Sequence, residues 1–515
     1  MGATIVAAIL TFLMRQTLIV MSRHVEFDIK NEIFKKYEYL TQDFYKQNRT
    51  GDLMNRISED VGRVRMYVGP AVMYTINTLI RFAIVIYFMQ SISRELTFYT
   101  LLPLPILAFL IFKLSNQINK KSTVFQENLS QLSSFSQEIF SGIRIIKAYS
   151  IEKNKQSEFE KLSLESNEKS MTLAKTQALF GPLMLFLIGL SNLLVVFIGG
   201  SMYINGSIKD IGDIAKFILY VNMLVWPVAS IGWVSSLIQE AEASQKRIND
   251  FLQIEPEIQN DIDNNETYNG DIEFKNVSLT YNDTNITALN NISFTIKKDE
   301  TIAIIGRTGS GKSSVLSLIC RLYDPTSGSI TIDNKNLKET NLSKLRETMG
   351  VVPQDAFLFS DTIKNNIKFG KENATDNEVI IAAKNAGVHD NILDFKNQYD
   401  TILGERGITL SGGQKQRVSI ARALIKNPNV ILLDDCLSAV DTETEEIILN
   451  NLGRISKNKT TIIVSHRISS AKNADKIIVL EDGKIIQEGT HNQLINIDGY
   501  YKDLYLKQIA EKELI

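Results

Sequence analysis

Residues 306–313, GRTGSGKS, place three glycines, a lysine and a serine at a spacing suited to binding phosphate. The segment satisfies the pattern G-x-x-x-x-G-K-[ST]. Residues 301–305 before it predict a buried strand, and residues 314–320 after it predict an amphipathic helix. Glycines let the backbone fold closely around an anion, so that amide groups and the positive end of the helix dipole face the same phosphates. A glycine-rich turn that only caps a helix is the alternative.

The side chains of this loop predict binding of a nucleoside triphosphate. Lys312 is expected against the β- and γ-phosphates, and the hydroxyl of Ser313 is expected to bind Mg²⁺. The predicted nucleotide-binding residues are contiguous: Gly306, Arg307, Thr308, Gly309, Ser310, Gly311, Lys312, Ser313 and Ser314.

A second anion-binding pattern occurs about a hundred residues later. Residues 410–414 read LSGGQ and are followed by a helical run at residues 415–424. Small residues at a helix N-terminus form an anion site separate from the first one. One chain does not obviously need two such sites for one nucleotide. The residues predicted to contact nucleotide here are Ser411, Gly412, Gly413 and Gln414.

Two apolar segments deliver groups that could act on a bound triphosphate. Residues 430–433 predict a buried strand that ends in Asp434 and Asp435, where a carboxylate beside a phosphate loop is suited to Mg²⁺ coordination. The alternative, a strand ending in an acidic turn, is weak with a phosphate loop upstream. Residues 461–464 repeat the geometry and place His466 near the γ-phosphate.

Two further side chains end predicted strands. Tyr281 follows an alternating strand pattern and could stack on adenine or could fill the core, and spacing alone leaves both open. Gln354 follows the strand predicted at residues 349–352. The helix-rich segment at residues 376–393 has no phosphate chemistry of its own.

Composition limits the class of protein and its compartment. At 515 residues with 44% apolar residues, the chain is long enough for two or more domains and too hydrophobic to be disordered. Its net charge of −2 implies no surface for nucleic acid. The two cysteines, Cys320 and Cys436, make a disulfide framework improbable, and the four histidines lack metal-ligand spacing.

The first 250 residues hold nearly all the long apolar runs. Lysine and arginine concentrate in the long connections, which places those connections in the cytoplasm and the short ones outside. The first run is not a signal peptide, since it lacks a basic start and a cleavage site. Five segments are each long enough to cross a bilayer, at residues 1–21, 64–93, 96–112, 176–208 and 217–239.

These features predict three regions. Residues 1–251 form a membrane domain with long cytoplasmic helices, residues 252–270 a polar linker, and residues 271–515 a nucleotide-binding domain. Interruptions near residues 43–56 and 148–159 predict short crosswise helices at the tips of long hairpins, suited to receiving force from the cytosolic domain. Ordinary solvated turns are the alternative.

Arg81 lies inside the second predicted span. An intramembrane arginine usually faces a polar cavity or a partner, and Asn77 is one turn away on the same face. A substrate or inter-subunit contact is the functional interpretation. Snorkelling or a structural hydrogen bond is the other.

Together these residues resemble the ATP-binding cassette family, specifically exporter half-transporters that fuse membrane spans to one nucleotide-binding domain. The resemblance covers essentially the whole chain. It implies a multidomain membrane protein with an α-helical transmembrane domain and an α/β phosphate-loop ATPase domain with antiparallel β and helical subdomains. It also implies that LSGGQ closes on the ATP held by another subunit, which accounts for the second anion site.

The resemblance assigns roles to individual side chains. Tyr281 corresponds to the adenine-stacking aromatic residue, Gln354 to a glutamine that senses Mg²⁺, and His466 to the switch histidine. The implied cofactors are ATP and Mg²⁺, with Ser313, Gln354 and Asp434 around the metal and Asp435, His466 and Gln354 as the catalytic set. Residues 405–407 resemble a loop that touches the coupling helices, and residues 438–441 a loop that crosses the dimer interface.

The membrane half, including RTGDLMNR at residues 49–56, looks most like bacterial multidrug exporters of the heterodimeric kind. The expected function is ATP-driven export of amphipathic drugs or lipid-like compounds across the cytoplasmic membrane. The expected partners are the lipid bilayer and a second half-transporter, with a heterodimer favoured over a homodimer. A regulatory subunit with little turnover and a homodimeric lipid exporter are alternatives. The predicted spans argue against a soluble ATPase of chromosome maintenance.

The sequence departs from this pattern twice. Such half-transporters have six spans and five are visible, so the first span is expected to be missing. Asp435 stands where a catalytic glutamate is usual. Its carboxylate would lie ~1.5 Å farther from the attacking water, and a displacement of 1 Å can reduce a rate ~100-fold. The chain is therefore expected to bind ATP, to hydrolyse it slowly, and to complete a competent site on a partner.

Overall fold

The computed structural model describes residues 2–259, 262, 266–404, 407, 410–437 and 442–513. The chain divides into two compact units. Met1–Glu38 and Thr50–Ile254 form the first, called the helical unit here, and Tyr39–Arg49 with Glu255–Ile515 form the second, called the α/β unit.

Long helices make up the helical unit. Two short π-helical turns, Arg56–Asp60 and Tyr67–Ala71, interrupt the second long helical stretch, and Pro70 lies in the later turn. The helices of residues 1–252, with α2 belonging to the α/β unit, are α1 (Gly2–Tyr39), α2 (Gln42–Gln47), α3 (Thr50–Asn55), α4 (Val61–Met66), α5 (Val72–Ile92), α6 (Arg94–Leu101), α7 (Pro103–Ser141), α8 (Ile143–Tyr149), α9 (Glu152–Ala178), α10 (Phe180–Ile204) and α11 (Ile211–Leu252).

Within the described part of the chain, five helical stretches are long and apolar enough to cross a membrane, as the sequence predicts: Gly2–Tyr39, Thr50–Ile92, Arg94–Ser141, Glu152–Ile204 and Ile211–Leu252. Helices α5, α7, α10 and α11 pack around a core that includes Met89, Leu107, Phe217 and Leu224. The apolar part of α1 remains exposed within this unit.

The short helices between these stretches only partly follow the sequence prediction. Helix α2 lies at the position expected for the first of them. The second, expected near residues 148–159, lies earlier as α8, because Ser150 adopts a left-handed backbone conformation that ends the helix at Tyr149. The residues from Glu152 onward already belong to α9.

Two sheets form the centre of the α/β unit. The strands are β1 (Ile272–Thr280), β2 (Thr287–Ile296), β3 (Thr301–Gly306), β4 (Ser327–Ile332), β5 (Lys335–Asn336), β6 (Met349–Val352), β7 (Val430–Asp434), β8 (Thr460–Ser465), β9 (Lys476–Glu481) and β10 (Lys484–Gly489). An antiparallel sheet has the order β2-β1-β4-β5, and a six-stranded sheet has the order β10-β9-β3-β8-β7-β6. In the larger sheet only β10 is antiparallel to its neighbour.

Helices cover these sheets. They are α12 (Lys312–Ile319), α13 (Leu342–Glu347), α14 (Ile363–Lys368), α15 (Asp376–Asn385), α16 (His389–Leu393), α17 (Gly412–Ile425), α18 (Thr442–Ile455), α19 (Ile468–Ala471), α20 (His491–Leu494) and α21 (Tyr500–Glu513). The central strands β3, β7 and β8 are almost wholly buried, which explains their continuous apolar sequence. Their carboxyl ends meet at one edge of the sheet, where ligands of open parallel sheets bind.

Candidate nucleotide-binding site

The phosphate loop follows β3 directly, and close backbone approaches require its glycines. A Cβ atom at Gly306 would lie 2.2 Å from the Leu480 carbonyl oxygen and 2.6 Å from Ser310 Oγ. Gly311 has φ +95°, and a Cβ there would lie 2.2 Å from the Ala288 carbonyl oxygen. The backbone therefore folds tightly enough for its amide groups to converge on one anion.

Ser310 provides a test of whether this loop suits a phosphate. Its hydroxyl oxygen is buried and has no hydrogen-bond partner among the described residues. A buried hydroxyl without a partner is unfavourable, and an incoming anion would relieve that cost. The loop therefore fits the triphosphate that its sequence predicts.

Lys312 is the first residue of α12 and is 6% exposed. Its Nζ atom donates hydrogen bonds to the carbonyl oxygens of Gly306, at 2.8 Å, and Arg307, at 2.7 Å. Burial lowers the pKa of Lys312, while the nearby carboxylates of Asp435 and Asp434 oppose that shift. A buried cation that faces a phosphate-binding loop is suited to an anionic ligand, which would favour the charged form.

Ser313 and Asp434 meet across the edge of the sheet. Ser313 Oγ donates a hydrogen bond of 2.9 Å to Asp434 Oδ1. Burial raises the pKa of Asp434, and the hydrogen bond from Ser313 acts in the opposite direction. Adjacent hydroxyl and carboxylate oxygens are ligands that Mg²⁺ prefers, so this pair fits the ion.

Gln354, the third predicted metal residue, is exposed just beyond β6. Among the described residues, the hydrogen bond that Gln354 makes is through its backbone carbonyl, which accepts from Gln416 Nε2 at 3.3 Å. The described contacts therefore bring Ser313 and Asp434 together without Gln354, whose role stays a prediction. No cluster of three or more His, Cys, Asp or Glu side chains suited to a metal occurs among the described residues.

Asp435 and His466 directly follow the neighbouring strands β7 and β8. The Asp435 amide donates to the Val464 carbonyl at 2.9 Å, and its φ of +42° lies in the left-handed region, where aspartate is better tolerated than most residues. Burial, then the charge of Lys312, lowers the pKa of His466, and Asp435 and Asp434 oppose this. Without nucleotide these surroundings favour the neutral imidazole, which can donate one hydrogen bond to an anion.

Tyr281 lies next to the phosphate loop. Its hydroxyl is 2.9 Å from Ser314 Oγ, and its ring meets the ring of Tyr323 nearly edge-on, with centroids 5.1 Å apart. Nζ of Lys46, in α2, lies 4.4 Å from the Tyr281 centroid and 4.9 Å from the Tyr323 centroid. Sequence reasoning missed Lys46 and Tyr323, since no local pattern connects residues so far apart in the chain.

The LSGGQ segment begins α17. Ser411 caps the helix, with Ser411 Oγ accepting from the Gln414 amide at 3.2 Å and Gln414 Oε1 accepting from the Ser411 amide at 3.0 Å. Gly412 and Gly413 form the first positions of the helix, and Ser411 and Gly412 are exposed. Among the described residues, no hydrogen bond joins this segment to residues 306–314. Residues 405, 406 and 438–441 lie outside the described part of the chain.

Comparisons with known proteins agree with this geometry. The family described as "ABC transporter transmembrane region" matches residues 1–228, and the family described as "ABC transporter" matches residues 289–438. The chain is 37% identical to the Bacillus subtilis protein "Uncharacterized ABC transporter ATP-binding protein YknU", with 95% of this chain and 83% of that protein aligned.

Other relatives are similar over most of their length. The Escherichia coli "Multidrug resistance-like ATP-binding protein MdlA" is 36% identical, covering 99% of this chain and 86% of the relative. The "ATP-dependent lipid A-core flippase" of Syntrophus aciditrophicus is 34% identical, covering 95% and 81%. A solved structure of a bacterial Atm1-family ABC exporter with ATP bound has a TM-score of 0.83 at 26% identity, covering 95% of this chain and 86% of that chain.

One explanation accounts for the membrane-spanning helices, the phosphate loop and the similarity to ABC transporters over nearly the full chain. The protein belongs to the ABC transporter family, as an exporter half-transporter that fuses a transmembrane region to an ATP-binding domain and couples ATP hydrolysis to transport.

Proposed function

We propose that this chain is one half of a dimeric exporter that moves amphipathic drugs or lipid-like compounds across the cytoplasmic membrane. The observation that carries the proposal is the juxtaposition of Lys312, Ser313 and Asp434 in a chain that also has five apolar helices long enough to span a bilayer. The names of MdlA and of the lipid A-core flippase point to drugs and lipids as cargo classes.

The ATP step follows from the side chains of the site. Water attacks the γ-phosphorus, the bond to the β–γ bridging oxygen breaks, and ADP, phosphate and one proton are formed. Lys312 and the loop amides bind the phosphate oxygens, and Asp435 orients the water and receives its proton. His466 donates a hydrogen bond to the γ-phosphate. Mg²⁺, held by Ser313 and Asp434 with Gln354 as the third predicted group, would neutralise charge on the phosphates.

We further propose that the chain's own site turns over slowly and that its partner is a second, different half-transporter. Asp435 has a shorter side chain than the glutamate expected there, so its carboxylate is set back from the water. The exposed N-terminus of α17 would close on the partner's nucleotide and complete a faster site there. A homodimeric lipid exporter is the alternative within the same class.

Arg81 is proposed to face the transport pathway or the partner. Its side chain is exposed on α5 in this single chain and has no recorded hydrogen bond or ion pair among the described residues. Asn77, four residues before Arg81 in α5, contacts Met14, with Nδ2 3.8 Å from the sulfur atom. A charge left in hydrocarbon is costly, which favours a polar cavity or a second subunit.

A regulatory subunit, in which ATP binds without useful turnover, is the second candidate function, and Asp435 is the observation that favours it. Transport separates the two. Inside-out vesicles containing the full chain and any co-purifying half-transporter should accumulate an amphipathic fluorescent dye, or flip a fluorescent phospholipid, only with ATP. The same vesicles with Lys312→Ala provide the control. ATP binding without transport of either probe would favour the regulatory function.

A further inference from the structure

The last helix of the α/β unit, α21, reaches the turn that carries His466. The side-chain amide of Gln508 forms two hydrogen bonds with the backbone of this turn. Nε2 donates to the His466 carbonyl oxygen at 3.0 Å, and Oε1 accepts from the Ile468 amide at 2.9 Å. One side chain thus holds the backbone on both sides of Arg467.

A local reason explains why the turn needs this glutamine. Ile468 is the first residue of α19, and Arg467, at the capping position, makes no side-chain cap hydrogen bond. The first amides of a helix lack partners within it and need another acceptor. Gln508 supplies that acceptor from 40 residues away in the sequence.

Helix α21 is firmly attached, so Gln508 is presented from a fixed position. Tyr501 is fully buried, and its hydroxyl lies 2.8 Å from His491 Nδ1. Its amide also donates to Gln487 Oε1 at 3.1 Å. Tyr501 shares an apolar cluster with Ile468 and Ala471 of α19. The two helices therefore form one packed layer behind the turn.

The opposite side of the turn is held as well. The Arg467 amide donates to Ser465 Oγ at 3.0 Å, and the Arg467 guanidinium pairs with the buried carboxylate of Glu445. These contacts fix the backbone around His466, whereas the imidazole itself stays partly accessible beside Asp435 and Asp434. The place from which the His466 side chain leaves the backbone is thus fixed by contacts that include those of Gln508.

The same helix also approaches the phosphate loop. The Arg307 guanidinium carbon lies 5.8 Å from the centroid of the Tyr500 ring, within the range of a cation–π contact. Helix α21 therefore touches both a phosphate-binding segment and the segment that carries the imidazole.

We propose that Gln508 is a positioning residue for ATP hydrolysis, through which α21 orients His466 toward the γ-phosphate. This inference rests on the proposed role of His466. Nucleotide binding depends on the phosphate loop, so loss of Gln508 affects the chemical step and leaves binding of ATP nearly intact.

The test compares Gln508→Leu with Lys507→Leu. Lys507 is an exposed neighbour on α21 whose side chain has no partner among the residues that the structure describes. Both variants are made in full-length protein in an Asp435→Glu background, which is expected to raise turnover at this chain's own site. The catalytic carboxylate of the co-purifying partner is replaced by its amide, so that the measured turnover reports this site. Gln508→Leu is expected to lower kcat roughly tenfold, since two half-buried hydrogen bonds that hold the turn are lost, with KM for ATP within about twofold. Lys507→Leu is expected to change neither, and unchanged thermal unfolding shows that both variants fold.

A His466→Ala variant separates failure of this inference from failure of the proposed function. Adding Gln508→Leu to His466→Ala is expected to lower kcat no further, because the two residues act as a unit. If Gln508→Leu lowers kcat by the same factor in the presence of His466 and in the His466→Ala variant, the positioning role is wrong. If His466→Ala alone leaves kcat unchanged, the role proposed for His466 fails. Amide exchange at Ile468 supplies an independent readout and is expected to accelerate in Gln508→Leu only.

Discussion

At the scale of single residues, burial sets the charges of the nucleotide site before any ligand arrives. It lowers the pKa of Lys312 and His466 and raises the pKa of Asp434. Each of these shifts disfavours the charged form. Nucleotide and Mg²⁺ would supply the opposite charges, so binding and protonation are coupled at this edge of the sheet.

Replacing Asp435 with glutamate tests whether the length of this side chain limits turnover. Asp435→Glu is expected to raise ATP turnover by at least about tenfold, because a 1 Å error in position can reduce a rate ~100-fold. Phosphate release by the purified chain in lipid discs measures the change. The left-handed backbone at this position tolerates glutamate less well, so the thermal midpoint of each variant is compared as well.

Asp435→Asn and Lys312→Ala serve as the low-activity references for that experiment. Turnover by the unmodified chain is expected to lie close to that of Asp435→Asn. If it already exceeds Asp435→Asn tens-fold and does not rise in Asp435→Glu, the side chain is long enough and the proposed asymmetry is wrong.

His466 makes a prediction about pH. The folded protein holds the pKa of His466 below its ordinary value of 6.5. Above pH 6.5 the imidazole is mostly neutral in both the folded and the unfolded chain and has little effect on stability. As the pH falls below 6.5, the unfolded chain binds the proton first, so the folded protein loses stability. Histidine NMR of the nucleotide-free protein, with His466→Gln to assign the signal, should give a midpoint below 6.5. Asp435→Asn should move it lower still, since the carboxylate favours the charged imidazole. An upward shift would contradict this placement.

At the scale of elements, the strands around the site could be predicted closely, since each is an apolar run that ends in a polar group. Strand β6 has the predicted bounds, and β7 and β8 extend the predicted runs by one or two residues. Asp482 and Gly483 both have left-handed backbone conformations and form the turn of the hairpin between β9 and β10.

Contacts between elements far apart in the chain could not be predicted. The pairing of α21 with the His466 turn depends on two hydrogen bonds from one glutamine, and nothing in the sequence near Gln508 marks it. The bounds of α8 were also missed. They depend on the left-handed backbone of Ser150, and serine gives no signal comparable to glycine.

Helix α2 gives a prediction at this scale. A helix of six residues is not stable alone, and Lys46 attaches this one to the rings of Tyr281 and Tyr323. Burial alone would lower the pKa of Lys46, but the hydrogen bond and charge of Tyr323, together with Tyr281 and Asp283, raise it. Lys46→Met should accelerate amide exchange in α2 by roughly two- to fivefold, the effect of a cation–π contact of about 0.5–1 kcal/mol.

Two matched variants make that experiment specific. Lys46→Arg should restore the slow exchange, because a guanidinium also binds aromatic faces. Arg49→Met removes a nearby exposed charge that has no recorded partner among the described residues, and it should leave α2 unchanged. If Arg49→Met and Lys46→Met act alike, general charge accounts for the effect and the ring contacts do not.

At the scale of the whole molecule, the two anion sites of one chain imply a second subunit. Arg307 of the phosphate loop has a side chain that is 73% exposed, and Ser411 of the second site is exposed too. Each is accessible to reagents in solution. Burial raises the pKa of both native thiols, Cys320 and Cys436, to about 12, so neither reacts readily and an introduced cysteine can be labelled selectively.

A double variant, Arg307→Cys with Ser411→Cys, therefore tests the composition of the dimer. If a homodimer sandwiches ATP, a short bis-maleimide should join two copies of the double variant when ATP is present, and neither single variant should form that product. In a heterodimer, which we expect, the chain alone should stay monomeric under the same reagent. Ser411→Cys should then couple only to a phosphate-loop cysteine in the partner. Coupling of the double variant without ATP would contradict closure of α17 on a neighbouring nucleotide. The absence of coupling both between two copies of this chain and between this chain and its partner would contradict it too.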